Sequence, residues 1–540
     1  MTALAIPLAW MPPLMFGGLV VFMLFGFPVS FSLAAVGLFF GFISIEHGFF
    51  TFAFMQAIPG RIFGSILSND LLLAIPFFTF MGAILEKCGL AEDMLDSMGQ
   101  LFGPIRGGLG YSVIIVGFIL GAITGTVAAQ VIAMALITMP IMMRYKYDMK
   151  YATGVLAASG TITQLVPPSL VLVVLADQLG RSVGDMYLGA WGPSSIQIAL
   201  FAGYTFYLSI MHPEMVPPVP RTLHGRALII KCMWGIIPAA VLIFLVLGTI
   251  MMGLATPTEA GAMGAIGAIV LAVVRNTDLS RANMAIFVAG LVGCVVGGTL
   301  AAMEIKSILF RLSFSVAFAT VAWFCWLAWQ NHEQRGLIKQ AFEATMRITS
   351  MVAFIVVGAT CFSITFAGVD GNRWVEHLLT GLPGGVWGFL VVVNLFVFFL
   401  AFFLDFFEIA FIIVPMLAPV AQKILTPVVG ADAALIWFGV MLCVNMQTSF
   451  MHPPFGFALF YLRSVTPKEI PSSVIYWGSL PWVGLQLIMV GLVIAFPVLV
   501  TCFLDAPSTV DPNTIKIEIQ MPEQQSEEPA EVIMPGQKPN

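Results

Sequence analysis

The sequence predicts an all-α polytopic membrane protein of two pseudo-symmetric halves, each carrying a re-entrant helical hairpin and then a broken helix. Three observations predict it. Of 540 residues, 59% are hydrophobic and only 9% charged, with a mean hydropathy of +0.98, whereas a soluble domain carries about 25% charged residues. Apolar runs, of which a bilayer span needs about 20 residues, follow one another from Leu14 to Leu504. Finally, two distant stretches, TITQLVPPSLVLVV (Thr161–Val174) and NMQTSFMHPPFGFALF (Asn445–Phe460), gather hydroxyls, amides and a Pro-Pro pair where hydrocarbon penalises every unpaired polar group.

In chain order the candidate segments are Leu14–Ile45, Leu71–Leu85, Tyr111–Met143, Ala152–Ala176, Tyr187–Met211, Leu228–Met252 and Ala260–Val274. Met284–Met303, Leu309–Trp329, Thr345–Ala367, Gly384–Leu404, Phe406–Ala421, Ala433–Phe450 and Ile475–Leu504 follow. Together they imply ~12 or more crossings. Tyr111–Met143 is too long for one span and too short for two, and contains GAITGTVAAQ and Pro140. Phe406–Ala421, with Pro415 and Pro419, looks too short and broken to cross. In each half a Pro-containing segment (ALITMPIMM; AFIIVPMLA) precedes a polar Pro-Pro segment, the pattern of a hairpin followed by a broken helix.

The chain therefore divides into N-terminal scaffold helices (1–110), a first hairpin and broken helix (111–211), connecting scaffold helices (212–277) and an added pair of spans (278–340). A second half (341–504) comes next, and an acidic, Pro-rich tail (505–540) of disordered composition ends the chain. The N-terminus has no basic region before Arg61, so no cleaved signal peptide is expected. Charged loop groups around Arg144, Arg221 and Asn331 give conflicting parities under the positive-inside rule, which leaves orientation open.

The intramembrane chemistry falls into two kinds. In FFLDFFEIAFIIVP, Asp405 and Glu408 share one helical face. A buried acid there faces a cavity, a cation or a partner, or else caps a helix end at the interface. Glu259, in ATPTEAG, reads first as the acid of a capping box opened by Thr256, with Pro257 at the first helical position. The hydroxyls, amides and freed carbonyls of Thr124, Gly125, Thr126, Thr161, Thr163, Gln164, Gln447, Thr448 and Ser449 are hard oxygen ligands for a small cation. The competing reading is plain interhelical hydrogen bonding.

Other chemistries are excluded. No phosphate-binding G-x-x-x-x-G-K-[ST] loop and no H-E-x-x-H occurs, so neither an ATPase nor a zinc hydrolase is built in, and no enzyme is expected. The six His are isolated, so paired haem ligands are missing. The seven Cys are scattered without C-x-x-C and read as small buried hydrophobes. A net charge of -5 gives no basis for nucleic-acid binding. No cofactor is expected beyond a coupling ion.

Five segments carry a family resemblance: NDLLLAIPFFTFMGAILEKCGLAEDM, GAITGTVAAQVIAMALITMP, MGLATPTEAGAMGA, FFLDFFEIAFIIVPMLAPV and NMQTSFMHPPFGFALFYLRSV. In this order they resemble the large (DctM-type) membrane subunit of tripartite ATP-independent periplasmic (TRAP) transporters, from about Leu14 to Leu504. The resemblance implies an ion-transporter-like fold with elevator-type scaffold and transport domains in a bacterial inner membrane. It implies Na⁺-driven import of small organic acids, keto, hydroxy or aromatic carboxylates among them. The implied partners are a separate four-helix membrane subunit and a periplasmic substrate-binding protein.

Its sites map onto Thr124–Thr126, Thr161–Pro168 with Pro167, Ser363 and Thr365 of CFSIT, and Asn445 with Gln447–Pro454 including Pro453. Na⁺ ligands are then expected among Thr124, Thr126, Thr163, Ser363 and Thr448. Two departures stand out: Thr163 and Gln164 replace a Gly-rich run, and Asp278–Gln340 is inserted, its second span ending in WFCWLAW. The intramembrane acids and broken helices alone also admit a stand-alone ion transporter or antiporter.

Overall fold

Backbone amides in hydrocarbon must pair within their own segment, so helices are the expected currency of this chain. The computed structural model describes residues 7–277, 280–302, 308–453 and 456–504, and all regular structure among them is helical. The expected disordered tail (505–540) and Pro454 lie outside the described residues.

The first half runs α1 (Met11–Leu24), α2 (Val29–Glu46), α3 (Asp70–Lys87), α4 (Leu90–Phe102), α5 (Gly108–Thr124) and α6 (Val127–Arg144). It continues with α7 (Met149–Thr161), α8 (Leu170–Leu179) and α9 (Val183–Met211). Connecting helices α10 (Gly225–Met251) and α11 (Pro257–Asn276) lead to α12 (Arg281–Ala302) and α13 (Ile308–Gln330). The second half comprises α14 (His332–Gly368), α15 (Gly371–Thr380), α16 (Gly385–Leu400), α17 (Val414–Val429), α18 (Ala431–Met446), α19 (Phe457–Val465) and α20 (Ser472–Ala495). Among the described residues eleven helices are long and apolar enough to cross a membrane, or twelve if α3 and α4, bent by 59°, count as one broken span.

The order of elements repeats. A long helix (α3, α14) leads into a short amphipathic one (α4, α15), a hairpin (α5–α6, α16–α17), a broken helix (α7–α8, α18–α19) and a final long helix (α9, α20). Tyr111–Met143 is thus a hairpin whose first arm begins at Gly108, inside the segment assigned to the N-terminal scaffold. One expectation is corrected. Phe406–Val429 is long and apolar enough to span, with a π-turn over Ile409–Ile413 ahead of Pro415. The wider turn accommodates the missing proline donor without ending the helix.

Packing exchanges elements between the halves. The first break's α7 packs on α20, the last helix of the second half, while α18 packs on α9. Likewise α8 lies against α17, and α19 against α6. A second group, α2, α3, α11 and α14, packs side by side, with α14 contacting both α2 and α3. The added pair α12–α13 is a hairpin whose Gly290, Gly293 and Gly297 face Thr320 and Ser313, the small-residue approach that membrane helices use. It docks through α13 on α11 and α14.

The α7–α20 crossing is closest at two glycines. A Cβ on Gly154 would overlap the Gly478 carbonyl, and one on Gly478 would overlap the Lys150 carbonyl. Gly154→Ala or Gly478→Ala is therefore expected to destabilise the protein by ~1–3 kcal/mol. Gly484→Ala and Gly491→Ala, where nothing lies within 4 Å of the new methyl, should stay within ~1 kcal/mol of wild type. Thermal unfolding in detergent distinguishes the two pairs.

Candidate functional site

The first hairpin turns at Gly125, in the left-handed region (φ +60°), and Thr126 is extended. Gly takes that conformation without penalty. The tip sits on the first break: a Cβ on Gly125 would be 3.3 Å from Leu170, the first residue of α8, and one on Gly121 would be 3.0 Å from Thr163 Cα. In that break α7 ends at Thr161, a 3₁₀ turn covers Ile162–Gln164, and the chain passes a cis Pro167–Pro168 bond into α8. Ser169 caps α8, accepting from Val171 N at 3.1 Å.

Gln130, on α6, pins this hairpin to the break. Its Nε2 donates to Gly117 O (2.6 Å) and Ser159 O (3.1 Å), and its Oε1 accepts from the Thr163 hydroxyl. Thr161 donates back to Ala158 O, and the single O–H of Thr163 is shared between Gln130 Oε1 and Gly160 O, the two back-bonds both at 2.8 Å. Gln164 is buried, and its carbonyl accepts from Ser169 Oγ and from Cys443 Sγ at 3.2 Å.

The second break repeats this with other residues. α18 ends at Met446 and a 3₁₀ turn covers Gln447–Phe450. Thr448 and Ser449 donate back to Asn445 O and Met446 O at 2.7 Å. Asn445 Nδ2 donates to Asn394 O (2.7 Å) and Asn394 Oδ1 (3.1 Å) on α16. Aromatic contacts add to this amide bridge. His452 lies between Phe398 and Phe402, with ring centroids at 4.4 and 4.1 Å, and Phe406 faces Phe450 at 6.1 Å. Pro453 follows His452 at the edge of the described segment.

The breaks meet. Thr161 Oγ1 lies 3.8 Å from Met451 Sδ, and Gln486 of α20 donates to Thr161 Oγ1 at 2.8 Å. Thr161, Thr163, Gln164, Asn445, Gln447, Thr448 and Ser449 are all buried around this junction. The Thr161 oxygen accepts from Gln486 and so has one lone pair left; hydroxyl oxygens of this kind are the hard type that a small cation would take. No cluster of three His, Cys, Asp or Glu suited to a metal occurs among the described residues.

Asp405 and Glu408 bond to each other's backbone at the start of the second hairpin's return arm. Asp405 Oδ1 accepts from Glu408 N (3.0 Å), and Glu408 Oε2 accepts from Asp405 N (2.9 Å), a complete capping box. It forms because the chain re-enters helix after the Ala401–Leu404 turn, leaving free donors that D-x-x-E satisfies. The capping box read at Thr256 and Glu259 is present as well. Thr365 donates to Gly37 O of α2 at 2.8 Å, and Ser363 is half-buried on the same helix α14, so neither joins the two breaks. The backbone of Thr124 closes α5.

Sequence reading passed over Gln130, Asn394 and Gln486. Their signal was a lone amide in an apolar helix, which hydrocarbon admits only with a partner.

Paired hairpins and paired broken helices meeting at a buried polar junction define a multi-pass membrane protein of the transporter class. The model of the family "Tripartite ATP-independent periplasmic transporter, DctM component" matches residues 16–499, and the chain belongs to that family, whose members are inner-membrane proteins. A C4-dicarboxylate TRAP transporter large permease protein DctM of Rhodobacter capsulatus is 26% identical over 518 residues, covering 93% of this chain and 99% of the relative. Its counterpart in Pseudomonas aeruginosa is 25% identical over 79% of this chain and 84% of its own. The sialic acid TRAP transporter large permease protein SiaM of Vibrio cholerae is 25% identical, over 87% and 93% respectively. Among solved structures, the Alcanivorax borkumensis YdaH transporter aligns with a TM-score of 0.48 at 15% identity, over 82% of this chain and 87% of that one.

If Glu408 serves as a cap, Glu408→Gln should keep thermal stability within ~0.5 kcal/mol, because Gln also closes a capping box. Glu408→Ala should lower it by ~1 kcal/mol. Equal losses in both variants would assign Glu408 a role through its charge.

Proposed function

We propose that the chain is the transport subunit of a TRAP system that imports a small organic carboxylate down a Na⁺ gradient. The observation that carries this reading is the meeting of the two breaks. Freed carbonyls and hydroxyl oxygens suit a small cation, and the N-termini of α8 and α19 begin beside them, where helix dipoles favour an anion. Relatives are named for C4-dicarboxylates, sialic acid and 2,3-diketo-L-gulonate, all acids. A carboxylate is the group they share, and it is the group assigned to this substrate.

In this reading substrate arrives on a periplasmic binding protein, and a separate small membrane subunit completes the complex. Hairpins, broken helices, α9 and α20 form a transport body that slides elevator-fashion against α2, α3, α11 and α14. The exchanged packing of the two halves supports their moving together. Across the sliding boundary lies the hydrogen bond from Asn69 Nδ2, at the start of α3, to Asp177 Oδ1 of α8 at 2.7 Å.

Reconstitution in liposomes with the small subunit and binding protein tests the proposal. Uptake of a carboxylate should require an inward Na⁺ gradient, and equal uptake without Na⁺ would sink the coupling. Asp405→Asn keeps an N-cap acceptor but removes the charge. It is expected to lower uptake more than about tenfold while the melting temperature holds. Wild-type uptake in this variant would leave Asp405 a cap and nothing more.

A further inference from the structure

Each half carries the same glutamine at the same place, and only one of the two is bonded. On α20, Gly478 meets Lys150 and Thr153 of α7, and Gly154 meets the Gly478 carbonyl. Roughly two turns further, Gln486 Nε2 donates to Thr161 Oγ1 at 2.8 Å, where the first break begins. On α9, Gly189 meets α18: a Cβ there would lie 3.0 Å from Ile436 and 3.5 Å from Val440.

Two alignments relate these crossings. Setting Gly189 on Gly478 brings Tyr187 onto Tyr476 and Gln197 onto Gln486. Setting one Pro-Pro pair on the other brings Lys150 onto Ile436, Gly154 onto Val440 and Thr161 onto Gln447. Together they turn the contacts of the first crossing into those of the second. In the same register the pair that corresponds to Gln486 and Thr161 is Gln197 and Gln447. Both side chains are fully buried (0% exposed), and neither amide has a hydrogen-bond partner among the described residues.

We infer that Gln197 is a positioning residue for the second break, holding it through the amide of Gln447 as Gln486 holds the first through Thr161. The bond is open in this conformation and closes in another conformation of the break. Two unpaired amides in an apolar interior are a destabilising arrangement, and the register offers each the other as a partner. The assignment goes beyond the transport reading and depends on it only where uptake is measured.

Cysteine pairs test the proximity without transport. In the full-length chain with its seven native cysteines replaced by alanine, Thr161→Cys with Gln486→Cys is the control pair for oxidation by copper phenanthroline in membranes. Gln197→Cys with Gln447→Cys should cross-link as the control does. A control that cross-links beside a test pair that does not would overturn the inference.

A double-mutant cycle tests the role in the assembled, reconstituted complex, using the near-isosteric Gln197→Met and Gln447→Met. Each single change should raise the half-saturating Na⁺ concentration by about fivefold, and the double variant should be no worse than the poorer single one. Multiplying effects, or an unchanged Na⁺ dependence with only a lowered melting temperature, would reduce Gln197 to ordinary packing. Should wild type show no Na⁺-driven uptake, the transport reading fails while the cross-linking result still decides the pairing.

Discussion

A helix interrupted in hydrocarbon frees backbone donors and acceptors that no water can satisfy, and this chain does it twice within one junction. The rest of the structure is arranged to meet that demand. At the first break, carbonyls 158 and 160 accept from threonines three residues onward. Carbonyl 159 accepts from Gln130 on the hairpin, and Leu165 O accepts from Ser194 of α9 at 3.1 Å. The Gln164 carbonyl accepts across the halves from Cys443. Beyond the threonines of the break itself, Gln130, Ser194 and Cys443 come from three different helices, so the break keeps its shape only while hairpin, last helix and opposite half are all in place.

The halves solve the same problem with different chemistry. Hairpin one is joined to its break by an amide and by close glycine contacts, which fix distances closely because hydrogen bonds are directional. Hairpin two is joined by the Asn445–Asn394 hydrogen bonds and by Phe398, Phe402 and Phe406 packed against His452 and Phe450. Aromatic contacts bury large area. Both breaks are thus tied to their hairpins by an amide, with glycine contacts beside it in the first half and aromatic rings in the second.

Much of the frame was legible in the sequence, because composition and period are backbone-level signals. The apolar runs, the overlong Tyr111–Met143 segment and the two polar Pro-Pro stretches pointed to helices, hairpin and breaks. Side-chain roles were less legible. D-x-x-E at Asp405 carries the same capping signature as T-x-x-E at Glu259, but its apolar surroundings suggested a ligand pair instead. Nothing local told that Thr365 would be committed to Gly37, since that bond depends on the α2–α14 crossing. Gln130 and Gln486 acquire meaning only when a distant segment is brought alongside, which no periodicity encodes.

The exchange between halves has a mechanical consequence. Each last helix is packed on the other half's broken helix, α20 on α7 and α9 on α18, and each second half-helix on the other half's hairpin. A displacement of one break therefore drags the opposite last helix, and through it the remaining hairpin. Such reciprocal packing favours motion as one body, because splitting it would expose the polar junction to hydrocarbon. In the proposed elevator motion the boundary toward α3 and α14 is the one that slides, and the Asn69–Asp177 hydrogen bond crosses it. In that proposed motion, the same physics that demands a closed junction would leave its outer surface as the place to slip.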